Sequence, residues 1–269
     1  TNLLLSQDVM HTLNAFKNMG VNIVQDNKKI LIEGNGLKSL KKPFKPIYLG
    51  NSGTSARLLA GLLSSQNFDS KLTGDESLSN RPMKRITSPL EIMGGKFNSP
   101  KGSLPIEIYG QKLNKIRYEI PVPSAQVKSG LIFAALNTEG TSEIIEKNFT
   151  RDHTEIMLKS FGANINIKNN NQKKHIFIKG NSELKSRNIS VPSDLSSASF
   201  FIVAALINKN SKIELQNINI NPTRDGILRV LKKMEGNIEI KNNRVINEEI
   251  VADIVVQSSN LKGCTVEAE

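Results

Sequence analysis

The sequence predicts an α/β protein in which a unit of about 70 residues recurs along the chain. Three kinds of segment support this prediction: helix ends that close on a glycine, helices that open on small or hydroxyl residues, and short strand patterns between them. The period is longer than that of the common solenoids. We therefore expect globular α/β units arranged around a pseudo-symmetry axis.

The helix ends come first along the chain and set the period. They read "FKNMGVNI", "EIMGGKF", "LKSFGANINI" and "LKKMEGNIEI", and their glycines lie 74, 68 and 74 residues apart. Gly20, Gly94, Gly162 and Gly236 each precede an apolar strand start. Each fits the position just after a helix, where a left-handed backbone favours glycine.

The helix starts alternate with these ends. They are "GNSGTSARLLAGLLSSQ" (50–66), "VPSAQVKSGLIFAALNTEG" (122–140) and "VPSDLSSASFFIVAALINKN" (191–210). The helices are apolar nearly all round, which predicts that they are buried. Helix N-termini that meet around an axis would form an anion-binding cleft.

Short apolar alternations separate the helices and predict strands. The candidate strands are 28–34, 104–110, 141–147, 174–180 and 211–217.

Composition restricts the class of protein. The chain has 269 residues, 38% of them hydrophobic, and a net charge of +11. No apolar run approaches the roughly 18 residues of a membrane span, and no signal peptide is visible, so we expect a cytoplasmic protein without a membrane partner. Aromatic residues make up 5% with no Trp, a pattern that does not favour nucleic-acid binding. Small anionic substrates or compositional drift account for the charge.

Thiol and metal chemistry are not indicated. Cys264 is the one cysteine, so the sequence excludes disulfides and thiolate clusters within the chain and suits a reducing compartment. His11, His153 and His175 are far apart, and we see no metal-ligand spacing.

The stretch "YLGNSGTSARLLAGLL" (48–63) is the strongest local signal. Glycines and hydroxyls before an apolar run predict a helix start that an anion can approach closely. Arg57 near that start is unfavourable with the helix dipole unless an anion or a carboxylate lies nearby. An ordinary capped helix with a surface ion pair explains the same letters, so both interpretations stay open on this stretch alone.

Six longer stretches identify a family resemblance. They are "LGNSGTSARLLAGLL", "GDESLSNRPMKRITSPLEIMGG", "VPSAQVKSGLIFAALNTEGTSEI", "TRDHTEIMLKSFGANI", "VPSDLSSASFFIVAALI" and "NPTRDGILRVLKKM". Together they cover essentially the whole chain. The sequence resembles the 5-enolpyruvylshikimate-3-phosphate synthases, also called 3-phosphoshikimate 1-carboxyvinyltransferases, and most closely their class II members.

The resemblance implies a fold and a domain organisation. The family fold is a two-domain enolpyruvyl transferase fold, an inside-out α/β barrel of repeated βαβαββ units with buried helices. By resemblance, residues 1–191 form most of the first domain and residues 192–269 part of the second, with a crossing near Val191–Asp194. A Gly-Asp-Lys-Ser loop has no match before Thr1, and family members continue past Glu269. We therefore expect an interior fragment that is inactive alone and lacks the proton-transfer acid and the lysines.

By the same resemblance, Gly53, Arg81 and Gln126 bind phosphoenolpyruvate. Asn51 and Thr54 belong to the loop that approaches this substrate and are candidates for supporting roles. The planar guanidinium of Arg81 suits a carboxylate or phosphate.

Shikimate 3-phosphate is expected to bind at Ser124, Ala125, Gln126 and Arg151. Thr150 could share the contact of Arg151. Ser124 also fits a helix cap, and the two roles are compatible.

Other residues in these stretches are expected to act indirectly. Arg57 and Lys128 lie near the cleft and could instead pair with carboxylates. Asp152 and His153 are expected to cap and orient their segment, and Asp194 and Arg224 are interpreted as structural.

The implied reaction transfers the enolpyruvyl group of phosphoenolpyruvate to the 5-hydroxyl of shikimate 3-phosphate. Its products are 5-enolpyruvylshikimate 3-phosphate and phosphate, on the route to chorismate and the aromatic amino acids. The resemblance implies no metal, no organic cofactor, a monomer when complete, and competition by glyphosate. Two alternatives are weaker: a UDP-N-acetylglucosamine enolpyruvyl transferase, whose cysteine loop has no match here, and a non-catalytic anion-binding module.

Overall fold

The computed structural model describes residues 3–26 and 29–267, in two compact units. The first unit holds the chain up to Thr150 together with Phe161–Arg187. The second holds Arg151–Ser160 and the chain from Asn188 onward. Lys28, the first residue of the strand predicted over 28–34, lies outside the described residues.

Helices and strands alternate along the described chain. The helices are α1 (Gln7–Asn18), α2 (Gly53–Ser64), α3 (Glu76–Ser79), α4 (Lys84–Ile92), α5 (Ala125–Leu136), α6 (His153–Ser160), α7 (Leu195–Ile207) and α8 (Gly226–Lys233). The strands are β1 (Asn22–Asp26), β2 (Lys29–Glu33), β3 (Ile47–Tyr48), β4 (Ser70–Thr73), β5 (Lys96–Asn98), β6 (Ile106–Tyr109), β7 (Arg117–Glu119), β8 (Thr141–Glu146), β9 (Ile165–Asn170), β10 (Lys173–Lys179), β11 (Lys212–Asn219), β12 (Asn237–Ile246) and β13 (Glu249–Gln257). None of these described helices is long and apolar enough to cross a lipid bilayer.

The sheets confirm the predicted repeat. Two four-stranded sheets have the orders β3-β4-β6-β5 and β7-β8-β10-β9, and in each the first pair is parallel and the other two pairs are antiparallel. The second unit has the antiparallel order β11-β13-β12, and a parallel bridge from Ser193 to Ile218 stands where the first strand would be. Each set follows the chain order βαβαββ. The α/β repeat fold predicted from the sequence is therefore confirmed.

Three of the four predicted glycine helix ends are confirmed. Gly20, Gly94 and Gly162 have φ values of 84°, 96° and 90°. The prediction for Gly236 is wrong, because Glu235 takes the left-handed position with φ 63°. Gly236 is needed for a different reason: a Cβ there would lie 2.8 Å from the Leu231 carbonyl oxygen.

Helices α2 and α5 pack against each other backbone to backbone. A Cβ on Gly61 would lie 1.9 Å from the carbonyl oxygen of Gly130, and a Cβ on Gly130 would lie 2.7 Å from the carbonyl oxygen of Arg57. Ile86 of α4 closes the third side, with its Cδ1 2.8 Å from that second Cβ position. Both glycines are therefore required by the helix crossing, and burial of α2 and α5 is confirmed.

Helix α7 departs from the prediction that all three apolar helices are buried. Its buried side faces a core that includes Ile202 and Ile254. On its other side Phe200, Phe201 and Ile207 are 77%, 64% and 65% exposed. The reason is that the described part of the second unit has one sheet to cover one face of α7, whereas α2 and α5 cover each other.

A carboxylate organises the sheet of the second unit. Asp253 on the central strand β13 accepts hydrogen bonds from Arg244 Nη2, the Asn217 backbone N–H and Asn242 Nδ2, each at 2.9 Å. Asn217 and Asn242 lie at irregularities in the two outer strands and have φ values of 57° and 52°. These hydrogen bonds, that from Arg244 foremost, lower the pKa of Asp253 to about 2.

We predict that Gly61→Ala destabilises the first unit by about 3 kcal/mol, because the added methyl would overlap the Gly130 carbonyl and force the helices apart. Gly226→Ala is the matched control, since Gly226 also lies in a helix and has no atom within 4 Å of its Cβ position. Urea unfolding followed by circular dichroism measures both. Equal stability of the two variants would contradict close packing at Gly61.

Candidate functional site

Hydroxyl side chains fix the start of α2. Ser52 accepts a hydrogen bond from the Ser55 backbone N–H at 3.3 Å, and the two hydroxyls lie 2.8 Å apart. The Ser55 hydroxyl in turn lies 2.7 Å from Thr12 Oγ1 of α1. Because Ser52 and Ser55 are buried, this chain of hydroxyls holds the loop before α2 in one conformation.

Arg57 turns back over the start of its own helix. Its Nη1 donates to the Gly53 carbonyl at 3.1 Å and to Gln126 Oε1 at 2.7 Å, and its Nη2 donates to the Pro82 carbonyl at 3.2 Å. All three acceptors are neutral oxygens. The guanidinium is therefore held in place without a carboxylate that would neutralise its positive charge.

Gln126 connects the starts of α5 and α2. Its Oε1 accepts from Arg57, and its Nε2 donates to Thr54 Oγ1 at 2.9 Å. The backbone packing of α2 on α5 brings these side chains, which are about 70 residues apart in sequence, within hydrogen-bond distance.

Arg81 lies on the other side of the loop before α2. Its Nη2 donates to Asn51 Oδ1 and, at 3.5 Å, to the Ser77 hydroxyl. The position of a Cβ on Gly53 is 3.1 Å from Arg81 Nη1 and 2.9 Å from Arg57 Nη1. Gly53 thus lies between two guanidinium groups.

The site has a concentrated positive charge. Burial lowers the pKa of Arg57, and the charges of Arg81 and Arg85 lower it further. Among the described residues, no carboxylate forms an ion pair with any of these three arginines. Guanidinium groups that lack a counter-charge, such as those of the half-buried residues Arg57 and Arg81, are suited to bind a carboxylate or phosphate.

Ser124 and Ala125 form the start of α5. Ser124 is the N-cap, and its hydroxyl accepts from the Val127 backbone N–H at 3.3 Å. Both side chains are half-buried, and they precede Gln126 directly. The structure therefore places the sequence-predicted Ser-Ala-Gln segment beside the arginine cluster through Gln126.

Lys128 lies in the interior, away from solvent. Its Nζ donates to Glu146 Oε2 at 3.0 Å and to the Thr150 carbonyl at 3.3 Å. The side chains of Lys128 and Glu146 are 0% and 2% exposed, and Thr150 Oγ1 donates to the other oxygen of Glu146. The lysine therefore fixes the start of α5 against the end of β8.

Arg151 belongs to the second unit, and its side chain is exposed. Asp152 and His153 follow it at the start of α6, where the Asp152 carbonyl accepts from the Ile156 backbone N–H at 3.0 Å. Asp194 and Arg224 also lie in the second unit, where Arg224 Nη2 is 2.9 Å from Asp194 Oδ1 at the N-cap of α7.

The structure thus brings several candidate residues of the first unit together at the start of α2. The members of this gathered set are Asn51, Gly53, Thr54, Arg57, Arg81 and Gln126. Sequence reasoning missed Arg85 and Glu146. The spacing of Arg85, four residues after Arg81, was an available signal, whereas nothing local identifies Glu146 as the partner of Lys128.

In the described ranges 3–26 and 29–267, no group of three or more His, Cys, Asp or Glu side chains could hold a metal ion.

Comparisons with known proteins identify the family of this chain. The family model described as EPSP synthase (3-phosphoshikimate 1-carboxyvinyltransferase) matches residues 1–269. The 3-phosphoshikimate 1-carboxyvinyltransferase of Leuconostoc citreum is 46% identical over 270 residues, and that of Caldicellulosiruptor saccharolyticus is 48% identical over 269 residues. These alignments cover 100% and 99% of this chain and 62% of each relative.

A solved structure is similar over nearly the whole chain. The EPSP synthase of Acinetobacter baumannii superposes with a TM-score of 0.88 at 44% sequence identity. The match covers 98% of this chain and 60% of that structure. The chain therefore spans about 60% of the length of the relatives it matches.

We predict that Lys128→Met costs about 3–5 kcal/mol, because it leaves the buried carboxylate of Glu146 without its counter-charge. The double variant Lys128→Met/Glu146→Gln removes both charges and should recover most of the loss. Thermal unfolding of the two variants and the wild type measures the difference. A single variant as stable as the double variant would show that the pair is not desolvated.

Proposed function

Because this chain belongs to the EPSP synthase (3-phosphoshikimate 1-carboxyvinyltransferase) family, we propose an enolpyruvyl transferase activity for a protein of full family length that contains it. Such a protein transfers the enolpyruvyl group of phosphoenolpyruvate to the 5-hydroxyl of shikimate 3-phosphate. The products are 5-enolpyruvylshikimate 3-phosphate and phosphate.

The arginine cluster at the start of α2 carries this proposal. Arg57, Arg81 and Arg85 lack an ion-pair partner in the described chain, and Gly53, which has no Cβ, lies between the first two. Phosphoenolpyruvate carries a carboxylate and a phosphate, the two groups that guanidinium forks bind best. Gly53, Arg81 and Gln126 are the proposed ligands, and Asn51, Thr54 and Arg57 hold them in place.

Shikimate 3-phosphate is proposed to bind at Ser124, Ala125, Gln126 and Arg151. The half-buried start of α5, capped by the Ser124 hydroxyl, supports this assignment, because backbone N–H groups at a helix start attract a phosphate. Gln126 is proposed to contact both substrates, and its hydrogen bonds to Arg57 and Thr54 support this role. The buried ion pair of Lys128 with Glu146 holds this segment in place.

The chemistry follows from the charges of the reactants. The 5-hydroxyl group gives up its proton as its oxygen adds to the central carbon of phosphoenolpyruvate, and the methylene carbon of phosphoenolpyruvate takes a proton, which gives a tetrahedral ketal. Phosphate then leaves as the methyl group loses a proton and the double bond reforms. The arginines stabilise the carboxylate and phosphate charges throughout.

We also propose the domain assignment made from the sequence, with residues 1–191 in one domain and 192–269 in the other. The passage of the chain between units at Arg187–Asn188 supports a crossing in this region. We infer a monomer in the cytoplasm, and the single cysteine, Cys264, suits a reducing compartment.

A turnover assay with Arg81→Ala tests the function and the assignment together. We expect the full-length protein to release phosphate only when both substrates are present. Loss of a charge-assisted contact should cost about 2–4 kcal/mol, or about 30- to 1,000-fold in kcat/KM for phosphoenolpyruvate. Arg117→Ala is the control, because Arg117 is an exposed arginine of the same unit paired with Glu143. No turnover by the wild type would overturn the function; equal kinetics of the two variants would overturn the role of Arg81.

Gly53→Ala should weaken the binding of glyphosate more than the binding of phosphoenolpyruvate. The added methyl would lie 2.9 Å from Arg57 Nη1 and 3.1 Å from Arg81 Nη1, so both guanidinium groups must shift. We expect a loss of about 1–3 kcal/mol in glyphosate binding, roughly 5- to 150-fold, and a smaller loss for the substrate. Inhibition constants against phosphoenolpyruvate measure this. A resistant wild type, or equal inhibition of both proteins, would contradict this placement of Gly53.

A further inference from the structure

A second polar cluster lies in the second unit, around Glu249 at the start of β13. Glu249 Oε1 is 2.6 Å from His153 Nδ1, and Oε2 accepts from Asn219 Nδ2 at 3.0 Å. Asn221 Nδ2 donates to Asp152 Oδ1 at 2.8 Å and lies 3.5 Å from Glu249 Oε2. The cluster joins the start of α6 to β13 and to the loop after β11.

The centre of the cluster is buried, its edge is half-buried, and its groups are nearly all paired. Glu249 and Asn221 are 8% and 3% exposed. Burial raises the pKa of Glu249, but the hydrogen bonds from His153 and Asn219 outweigh it and hold that pKa below its ordinary value. A charged carboxylate is kept in the interior only where its donors are fixed, so this cluster has a defined geometry.

Arg151 immediately precedes the two residues that the cluster holds. Asp152 is tied to Asn221, and His153 is tied to Glu249. Arg151 itself is exposed, so its backbone is anchored on one side while its side chain stays accessible. This is the arrangement expected where a long side chain must be aimed at a ligand.

We propose that Glu249, with Asn221, is a positioning residue that sets the direction of Arg151 toward the phosphate of shikimate 3-phosphate. This inference rests on the proposed function for the identity of the ligand. The inference that Glu249 anchors the segment Arg151–His153 depends only on the observed hydrogen bonds. Glu249 does not touch the substrate and acts through His153 and the turn before α6.

The cluster also fixes the state of His153. Its Nδ1 faces a carboxylate and therefore carries the proton, and Nε2 is buried without a hydrogen-bond partner among the described residues. Nitrogen chemical shifts of the imidazole should show an Nδ1–H tautomer. Glu249→Gln should change that signal, because an amide can present its N–H group to Nδ1.

Kinetics of the full-length protein test the positioning role. We expect Glu249→Ala to raise KM for shikimate 3-phosphate by about 10-fold or more and to leave KM for phosphoenolpyruvate within about twofold. Asp253→Asn is the matched control: it alters a carboxylate of the same strand that holds Asn217 and Arg244 instead of the α6 start. It should leave both KM values unchanged.

A double-mutant cycle with Arg151→Ala identifies the route of the effect. If Glu249 acts through Arg151, then Glu249→Ala adds little to KM for shikimate 3-phosphate once Arg151 is removed. Independent, additive effects of the two substitutions, or an equal effect of Asp253→Asn, would overturn the proposal.

Amide hydrogen exchange tests the positioning role of Glu249 independently of the proposed enzymatic function. Exchange of the Ile156 amide, which bonds to the Asp152 carbonyl, should be at least about 10-fold faster in Glu249→Ala than in Asp253→Asn. If the wild type lacked turnover, the proposed function would fail, and exchange alone would decide whether Glu249 holds this segment. Unchanged exchange would overturn the positioning role even if turnover were present.

Discussion

The close approach of α2 and α5 at Gly61 and Gly130 is the constraint on which the candidate site depends. Side chains at this crossing would keep the helix axes apart, and the starts of the two helices would separate with them. Gln126 could then no longer reach Arg57 and Thr54, whose hydrogen bonds to it are 2.7 and 2.9 Å long. The packing of the core thus determines the spacing of the polar groups at its end.

Two of the three repeated helices carry a basic residue near their start, and the surroundings of these two residues differ. Arg57 is held by neutral oxygens and keeps its charge available. Lys128 is fully buried and neutralised by Glu146. In α7 the corresponding region has no cation, and Asp194 caps the helix by accepting from Ser197. One repeat thus leaves its cation without a counter-charge, the next pairs its cation with a buried carboxylate, and the third has a helix start without a cation, capped by an aspartate.

Much of the fold could be predicted from the sequence because its signals are local. Gly20, Gly94 and Gly162 end their helices as predicted, and the strand order repeats as the 70-residue period indicates. Gly236 was misassigned because its neighbour Glu235 adopts the left-handed backbone, which sequence patterns disfavour for a glutamate. Burial of α7 was overpredicted because an apolar helix is buried only where a partner exists to cover it.

The candidate site was predictable in part for the same reason. Gly53, Arg81 and Gln126 lie in distinctive short stretches and come together in the first unit. Their roles as ligands were carried by resemblance and remain proposals. Glu146 and Glu249 could not be found from sequence, because each is defined by a tertiary partner: Lys128 in one case, and His153, which lies 96 residues away, in the other.

Helix α6 belongs to the second unit, although the chain on both sides of it belongs to the first, and this affects when its contacts can form during synthesis. Residues before and after Arg151–Ser160 belong to the first unit, but the helix itself packs in the second. His153 leaves the ribosome 96 residues ahead of Glu249, a wait of roughly 5–20 s at ordinary rates of synthesis. Until Glu249 is made, α6 lacks the hydrogen bond that holds His153. That contact therefore forms only after the chain through Arg187, the last residue of the first unit, has been synthesised.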